Sequence, residues 1–275
     1  RSPASRARRS RWPGPSVPEH VVGVDVGGTT IKAALVDAGS GILMGQRFVA
    51  DTPRPATPAA ISECVAEIVR ALAPTDATPV GIALPAVVRR GVVETAANID
   101  PSWIGYPVED SLHTALARPV TAVNDADAAG IAETRRGAAA AGSGVVVVTT
   151  LGTGIGSALL VDGTLVPNTE LGHLPMSGRP AEHVASTAAR EREGLSYVKW
   201  AERLTAYYGL LESLLTPDLI VVGGAVSASA DRFLPHVRTR APIVPAALGN
   251  DAGVIGAALA SRRVADQPVV MPAAG

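Results

Sequence analysis

The sequence predicts an α/β protein built from two similar α/β lobes that face each other across a cleft, and three observations carry that prediction. An opening segment recurs: VVVVTTLGTGIGSALLVDG from residue 145 lies over VVGVDVGGTTIKAALVDAG from residue 21 at a constant offset of 124. In that register Gly28 matches Gly152, Thr29 matches Thr153, Ile31 matches Ile155, and Ala34 with Leu35 match Ala158 with Leu159, the mark of a duplicated unit. Hydrophobic residues make up 47% of the chain and aromatics only 3%, so the core is made of Val, Ile, Leu and Ala. Short apolar runs bounded by turn residues alternate with segments of helical period.

Taken in order, residues 21–37 read as strand, glycine turn, strand, and 42–50 as a third strand. The segment 57–74 is a helix with Ile61, Val65, Ile68 and Leu72 on one face, Pro58 near its start and Pro74 beyond its end. A strand at 80–85 precedes a mostly irregular stretch, 91–105, and a helix at 108–117. PVTAV, 119–123, is a short buried strand that runs into a helix from Asp125, acidic in its first turn and ending on Arg135 and Arg136. After the second hairpin come a loop at 168–180, a helix at 181–194, and a longer helix from Tyr197 to Leu215 with Trp200, Leu204, Tyr208, Leu211 and Leu215 on one face. LIVVGG at 219–224 is a strand ending in a glycine pair, 229–237 a short helix, 242–246 a strand and 251–263 the last helix. The lobes are expected over 21–123 and 124–262, with a disordered basic arm at 1–20 and a flexible tail at 263–275.

Several classes are disfavoured. No run approaches the eighteen or so apolar residues of a membrane span, so a cytoplasmic, membrane-free protein is expected. The first twenty residues hold five arginines and four prolines and no apolar h-region, unlike a signal peptide. Setting those arginines and Glu19 aside, the 24 basic and 25 acidic residues become 19 and 24, which gives no global reason to expect nucleic-acid binding. Cys64 alone makes neither a disulfide framework nor a cysteine-rich zinc site and reads as a small core residue. His20, His113, His183 and His236 have no metal-ligand spacing.

The chemistry concentrates at VNDADAAG, 123–130, where a strand end hands a carboxylate, Asp125, to a helix start, the place where open α/β sheets form ligand crevices. Asn124 and Asp125 are also ordinary helix caps. GTGIG at 152–156 is followed by a strand rather than a helix, so it is no dinucleotide fingerprint, and no GxxxxGK[ST] occurs. The remaining role for the two glycine turns is to cradle phosphate oxygens with backbone N–H groups and threonine hydroxyls, glycine permitting close approach and positive φ. Asp25, within a run of valines, is costly to bury bare and makes sense facing a hydrated Mg²⁺ at a phosphate turn, with Lys32 as a further positive charge.

Together these segments resemble the sugar kinases of the actin-like ATPase superfamily with its ribonuclease H-like duplicated fold, in particular the ROK family of repressors, open reading frames and kinases. DVGGTTIK at 25–32 resembles the first phosphate motif, VNDADAAG the catalytic segment, LGTGIGSAL the second phosphate motif, ELGH at 170–173 the sugar motif and LIVVGGAVS the donor-side glycine pair. TAANIDPSWIG, GTLVPNTELGH, SYVKWAERL and APIVPAALGNDAGVIGAA resemble segments of the family's polyphosphate glucokinases and polyphosphate/ATP glucomannokinases. The resemblance implies that Asn98, Asn124, Asp125, Glu170, His173 and Glu182 surround the sugar, with Asp125 as base. It implies that Asp25, Gly27, Gly28, Thr29, Thr30, Lys32, Thr150, Gly152, Thr153, Gly154, Gly223 and Gly224 hold the donor. The implied reaction is phosphorylation of glucose at its 6-hydroxyl by inorganic polyphosphate or ATP with Mg²⁺, in a homodimer. Alternatives are an ATP-only kinase for mannose or N-acetylmannosamine, and a non-catalytic sugar sensor; against the sensor, the residues before Val21 are too few for a helix-turn-helix module.

Two departures from the family pattern stand out. The CxCGxxGC segment that holds structural zinc in many members is absent, so no zinc is expected and His173 is left for a sugar hydroxyl. LPA at 84–86 replaces the usual proline–glycine, and Ala86 narrows the expected pocket. Arg135, Arg136, Arg179, Lys199 and Arg203 are candidates, by composition, for a polyphosphate groove.

Overall fold

The computed structural model describes residues 19–73, 75, 77–96 and 99–266, with the side chains of 262–266 left undescribed. The expected arm (residues 1–18), Asn98 and the tail beyond 266 lie outside the described residues.

The chain runs β1 (His20–Val26), β2 (Thr30–Asp37), β3 (Leu43–Asp51), α1 (Pro58–Leu72), β4 (Val80–Leu84), a small hairpin of β5 (Val88–Arg89) and β6 (Val92–Val93), α2 (Val108–Leu116), β7 (Val120–Asn124) and α3 (Asp125–Arg136). The second half follows with β8 (Val145–Leu151), β9 (Ile155–Val161), β10 (Thr164–Val166), the pair β11 (Pro175–Met176) and β12 (Arg179–Pro180), then α4 (Glu182–Ala185), α5 (Thr187–Arg192), α6 (Tyr197–Leu215), β13 (Leu219–Gly223), β14 (Ile243–Pro245) and α7 (Ala252–Asp266). The two five-stranded sheets have the orders β3-β2-β1-β4-β7 and β10-β9-β8-β13-β14, with strand directions that match pair by pair. The repeat read at an offset of 124 is thus a duplication of the whole topology.

Each half ends in a helix, α3 or α7, and these two pack on each other between the sheets. α7 lies on β1, β4 and β7 of the first sheet, whereas α3 lies on β8 and β9 of the second. A division at 123/124 cuts off the last residue of β7 and leaves both packed helices, α3 and α7, in the second part. The packing is close because the contacts are glycine: a Cβ on Gly256 would lie 1.7 Å from the Ala128 carbonyl oxygen, and one on Gly81 1.9 Å from that of Ala257. The outer faces bury aliphatic clusters, Ile61, Val65 and Ile68 of α1 against the first sheet, and Trp200, Leu204, Tyr208 and Leu211 of α6 against the second. Pro58 opens α1, as the sequence indicated, and Thr57 caps it.

The structure corrects four expectations. The helix expected over 181–194 is two, because Ser186 takes an extended conformation (ψ 165°) and uses its hydroxyl to cap α5. In place of a helix at 229–237 there are 3₁₀ segments at Ala225–Arg232 and Leu234–His236, interrupted at Phe233. The first strand begins at His20, paired with Asp37, inside the expected arm. α7 continues to Asp266, past the expected start of the tail.

Candidate active site

β7 delivers its last residue, Asn124, to the N-cap of α3, where the side-chain oxygen accepts the N–H groups of Ala126 (2.9 Å) and Asp127 (3.1 Å). The same amide donates through Nδ2 to the Ala86 carbonyl at 3.2 Å. Asn124 is thus both the cap and part of the pocket lining. The cap fixes the first helical turn, so Asp125 points one carboxylate oxygen at the Ala126 N–H (2.8 Å) while the group lines the cleft.

Two cavities, each of about 240 Å³, meet at Asp125, Thr150, Gly224 and Ala225. Each has room for about eight waters at ~30 Å³ apiece, the size for a small polar ligand. The first is lined by Ala86, Asn124, Asp125, Glu170, His173 and Glu182 together with the second glycine turn. His173, half exposed, has Nε2 3.9 Å from Glu170 and 3.6 Å from Glu182. Glu182 also takes the Ile155 N–H at 3.4 Å, which joins the sugar-motif residues to the second turn. Five of the six residues implied for a sugar therefore come together; Asn98 lies outside the described residues.

The second cavity is lined by Asp25, Lys32, Asp125, Thr150, Gly223 and Gly224, with Gly249, Asn250 and Gly253 from the approach to α7. Asp25 and Lys32 face each other across the β1–β2 pair, with Nζ 3.7 Å from Oδ2. Lys32 is accordingly a partner of Asp25. The first glycine turn is closed by the Gly27 N–H on the Thr30 carbonyl, and the second by the Gly152 N–H on the Gly154 carbonyl. Thr52 and Arg54 donate to the carbonyls of Gly27 and Gly28. Gly28, Thr29, Gly152 and Thr153 are exposed at the turns.

Positive φ is not what these turns need from glycine, contrary to the sequence argument: none of Gly27, Gly28, Gly152 and Gly154 adopts it. Close approach applies to Gly154, whose Cβ would lie 2.3 Å from the Glu182 carboxylate, and to Gly156 of β9, whose Cβ would lie 2.5 Å from the Thr150 hydroxyl, while a Cβ on Gly152 would meet nothing within 4 Å. Gly224 does take φ +84°, packed on the Leu151 backbone beside the second turn.

Burial is the first cause of every carboxylate shift at this junction. It pushes Asp125 up to about 7, helped by the negative charges of Asp25 and Glu170 and opposed by the Ala126 N–H. Asp25 is raised by burial against the lowering pull of Lys32, and Glu170 by burial against that of His173. The cluster is short of positive charge, which is the setting a hydrated divalent cation fits.

Sequence reasoning missed Asp127, 2% exposed, whose carboxyl burial also pushes up to about 7. Its Oδ2 accepts the Asn168 N–H at 2.7 Å, and its Oδ1 is buried without a partner among the described residues. Glu133, fully buried, accepts the N–H groups of Ala138, Ala247 and Leu248. The signal for both was a charge on an alanine-rich helix that has little room for solvent. Among the groove candidates, Lys199 is paired with Glu202 and Arg203 with Glu193, while Arg135 and Arg136 sit at the far end of α3, ~15 Å from Asp125.

Residues 21–191 match the family model described as ROK family. The chain belongs to the ROK family. This ROK chain is 46% identical over 253 residues to a polyphosphate glucokinase of Mycobacterium tuberculosis, covering 92% of the chain and 95% of that relative. Its fold matches the crystal structure of an inorganic polyphosphate/ATP-glucomannokinase from Arthrobacter sp. strain KM with TM-score 0.86 and 48% identity, over 90% of this chain and all of that one. A ROK family glucokinase from Streptomyces griseus, solved with glucose and AMPPNP, matches with TM-score 0.74 and 26% identity over 87% of this chain and 98% of that one.

Proposed function

We propose that this ROK-family chain is a glucokinase that moves a phosphoryl group from inorganic polyphosphate or ATP to the 6-hydroxyl of glucose, with Asp125 as general base. The observation that carries the reading is the position of Asp125 at the junction shared by the polar pocket of Glu170, His173, Glu182 and the second glycine turn and the cavity of Asp25, Lys32 and the Gly223–Gly224 pair. A hydroxyl held in the first and a terminal phosphoryl group held in the second meet beside its carboxylate. The 46% identity to a polyphosphate glucokinase over nearly the whole chain supports the substrate pair.

A sugar hydroxyl is a weak nucleophile, and phosphoryl transfer has a loose transition state, so alignment and charge stabilisation do most of the work. Asn124, Glu170, His173 and Glu182 orient the sugar by hydrogen bonds, which also discriminate among epimers. Asp125 accepts the hydroxyl's hydrogen bond in the ground state and its proton as the oxygen attacks. The turn N–H groups and the Thr29 and Thr153 hydroxyls hold the donor's oxygens. Asp25 is the residue that fits Mg²⁺ through water, and the ion when bound offsets the donor's charge. Ala86, 3% exposed, lines the pocket wall where the family pattern has glycine, so the choice between glucose and mannose turns on that wall. A zinc-free, cytoplasmic homodimer completes the proposal. None of the helices among the described residues is long and apolar enough to cross a membrane.

The test is glucose 6-phosphate formation with Mg²⁺, comparing nucleotide-free polyphosphate with ATP at equal phosphoryl concentration. Turnover with polyphosphate is expected. Turnover with ATP alone would remove the polyphosphate assignment, and silence with both donors would remove the kinase.

A further inference from the structure

One wall of the sugar pocket comes from outside both main sheets. Pro85, Ala86 and Thr95 line it, and they flank the β5–β6 hairpin, whose ladder is two residue pairs long. So short a hairpin does not hold its own position against solvent. Its inner bonds are few: Thr95 accepts the Val87 N–H at 2.9 Å, and the Glu94 N–H meets the Val87 carbonyl. The first half holds it through Val93, whose N–H donates to the Tyr106 carbonyl and whose carbonyl accepts the Gly105 N–H, and through Asn124 at the end of β7; from the second half, Asn168 fastens it across the cleft. Asn124 holds the Ala86 carbonyl. Asn168, in the loop that leads to Glu170, accepts the Val88 N–H at 3.2 Å through Oδ1 and donates to the Val88 carbonyl at 3.0 Å through Nδ2.

An amide side chain that takes both backbone groups of one residue imitates a strand partner. Asn168 does this from a left-handed backbone (φ 59°), a conformation asparagine tolerates and most residues do not. The strain is held by the bond from its own N–H to the buried Asp127 carboxylate on α3. The path thus runs from α3, which carries Asp125, through Asp127 to Asn168, then to the pocket wall on one side and Glu170 on the other.

We propose that Asn168 is a positioning residue for the sugar: a latch across the cleft that sets the distance between the 85–95 wall and the loop bearing Glu170 and His173. Asn168 does not line the pocket. Its effect is on how well the pocket is formed before the sugar arrives, which appears in sugar affinity and not in the chemical step. This inference rests on the sugar-pocket assignment above.

Asn168→Gly tests it, because glycine keeps the left-handed backbone and the N–H to Asp127 while deleting both bonds to Val88. Asn168→Asp is the second variant; it keeps an acceptor for the Val88 N–H but sets a carboxylate against the Val88 carbonyl. Both are measured for turnover, for glucose binding by calorimetry and for Tm. The expected result is a KM and Kd for glucose at least tenfold higher in both variants. kcat at saturating glucose stays within threefold of wild type, and KM for the donor within twofold. A fall in Tm with unchanged glucose affinity would overturn the latch and leave Asn168 merely structural, and so would an equal rise in donor KM. A wild-type protein that binds glucose in calorimetry but transfers no phosphoryl would sink the proposed reaction, while the binding comparison would still decide the latch.

Discussion

As the proposed base, Asp125 has to be ionised to accept a proton, yet it sits where burial and two neighbouring carboxylates favour its neutral form. With its pKa pushed up to about 7, the basic form is lost as pH falls through that value. kcat/KM for glucose should therefore show an acidic limb near pH 7, falling about tenfold per unit below it. The second cause of the shift is the charge of Asp25. Asp25→Asn removes that repulsion and should move the limb to lower pH, whatever it does to the plateau. A pH–rate profile of the two proteins checks this; an unmoved limb would mean that the titrating group is not Asp125.

At the scale of the element, the α3–α7 contact fixes where the active-site helix begins. Gly256 has no space for a methyl group against the Ala128 carbonyl, and neither helix can retreat without moving its sheet. Gly256→Ala should cost roughly 3 kcal/mol of stability, read from urea denaturation; a cost under ~0.5 kcal/mol would show that the helices separate freely. Most of this layout was legible in the sequence, for physical reasons. The valine-rich hairpins declared themselves by composition and by repetition, and α1 and α6 by a strong apolar stripe. Asp125 was legible because a polar pair between a buried strand and an alanine helix is conspicuous. What stayed hidden depends on contacts distant in sequence. Asp127 and Glu133 serve N–H groups 41 and more than 110 residues away, respectively. The break at Ser186 was hidden because a serine reads as well inside a helix as at its cap. Of the two reasons the sequence offered for the glycine turns, positive φ is absent at Gly27, Gly28, Gly152 and Gly154, and crowding acts at Gly154, beside the Glu182 carboxylate.

For the whole molecule, the acidic centre sets a stability cost that depends on pH. Asp125 and Asp127 both titrate near 7 in the fold against about 3.9 when unfolded. The folded state thus binds more protons between those values, and stability falls as pH rises through that window. Asp127→Asn should raise Tm at pH 7.5, with the gain shrinking by pH 5; a variant less stable at both would show the carboxylate to be ionised and favourable. Glu133 works in the other direction, tying α3 to the segment before α7 through the Ala247 and Leu248 N–H groups and closing its own helix end on the Ala138 N–H. Glu133→Ala leaves those donors buried and should cost about 3 kcal/mol or more in chemical denaturation. The two sheets and the α3–α7 layer together hold one carboxylate, Asp125, at the junction of two cavities, the proposed sugar and phosphate sites. The most direct test of that account is Asp125→Asn, assayed for glucose phosphorylation and, separately, for glucose binding. The account predicts a kcat at least a hundredfold lower, about 2.7 kcal/mol of transition-state stabilisation, with glucose affinity retained and Tm not lowered. Near wild-type turnover in that variant would contradict it.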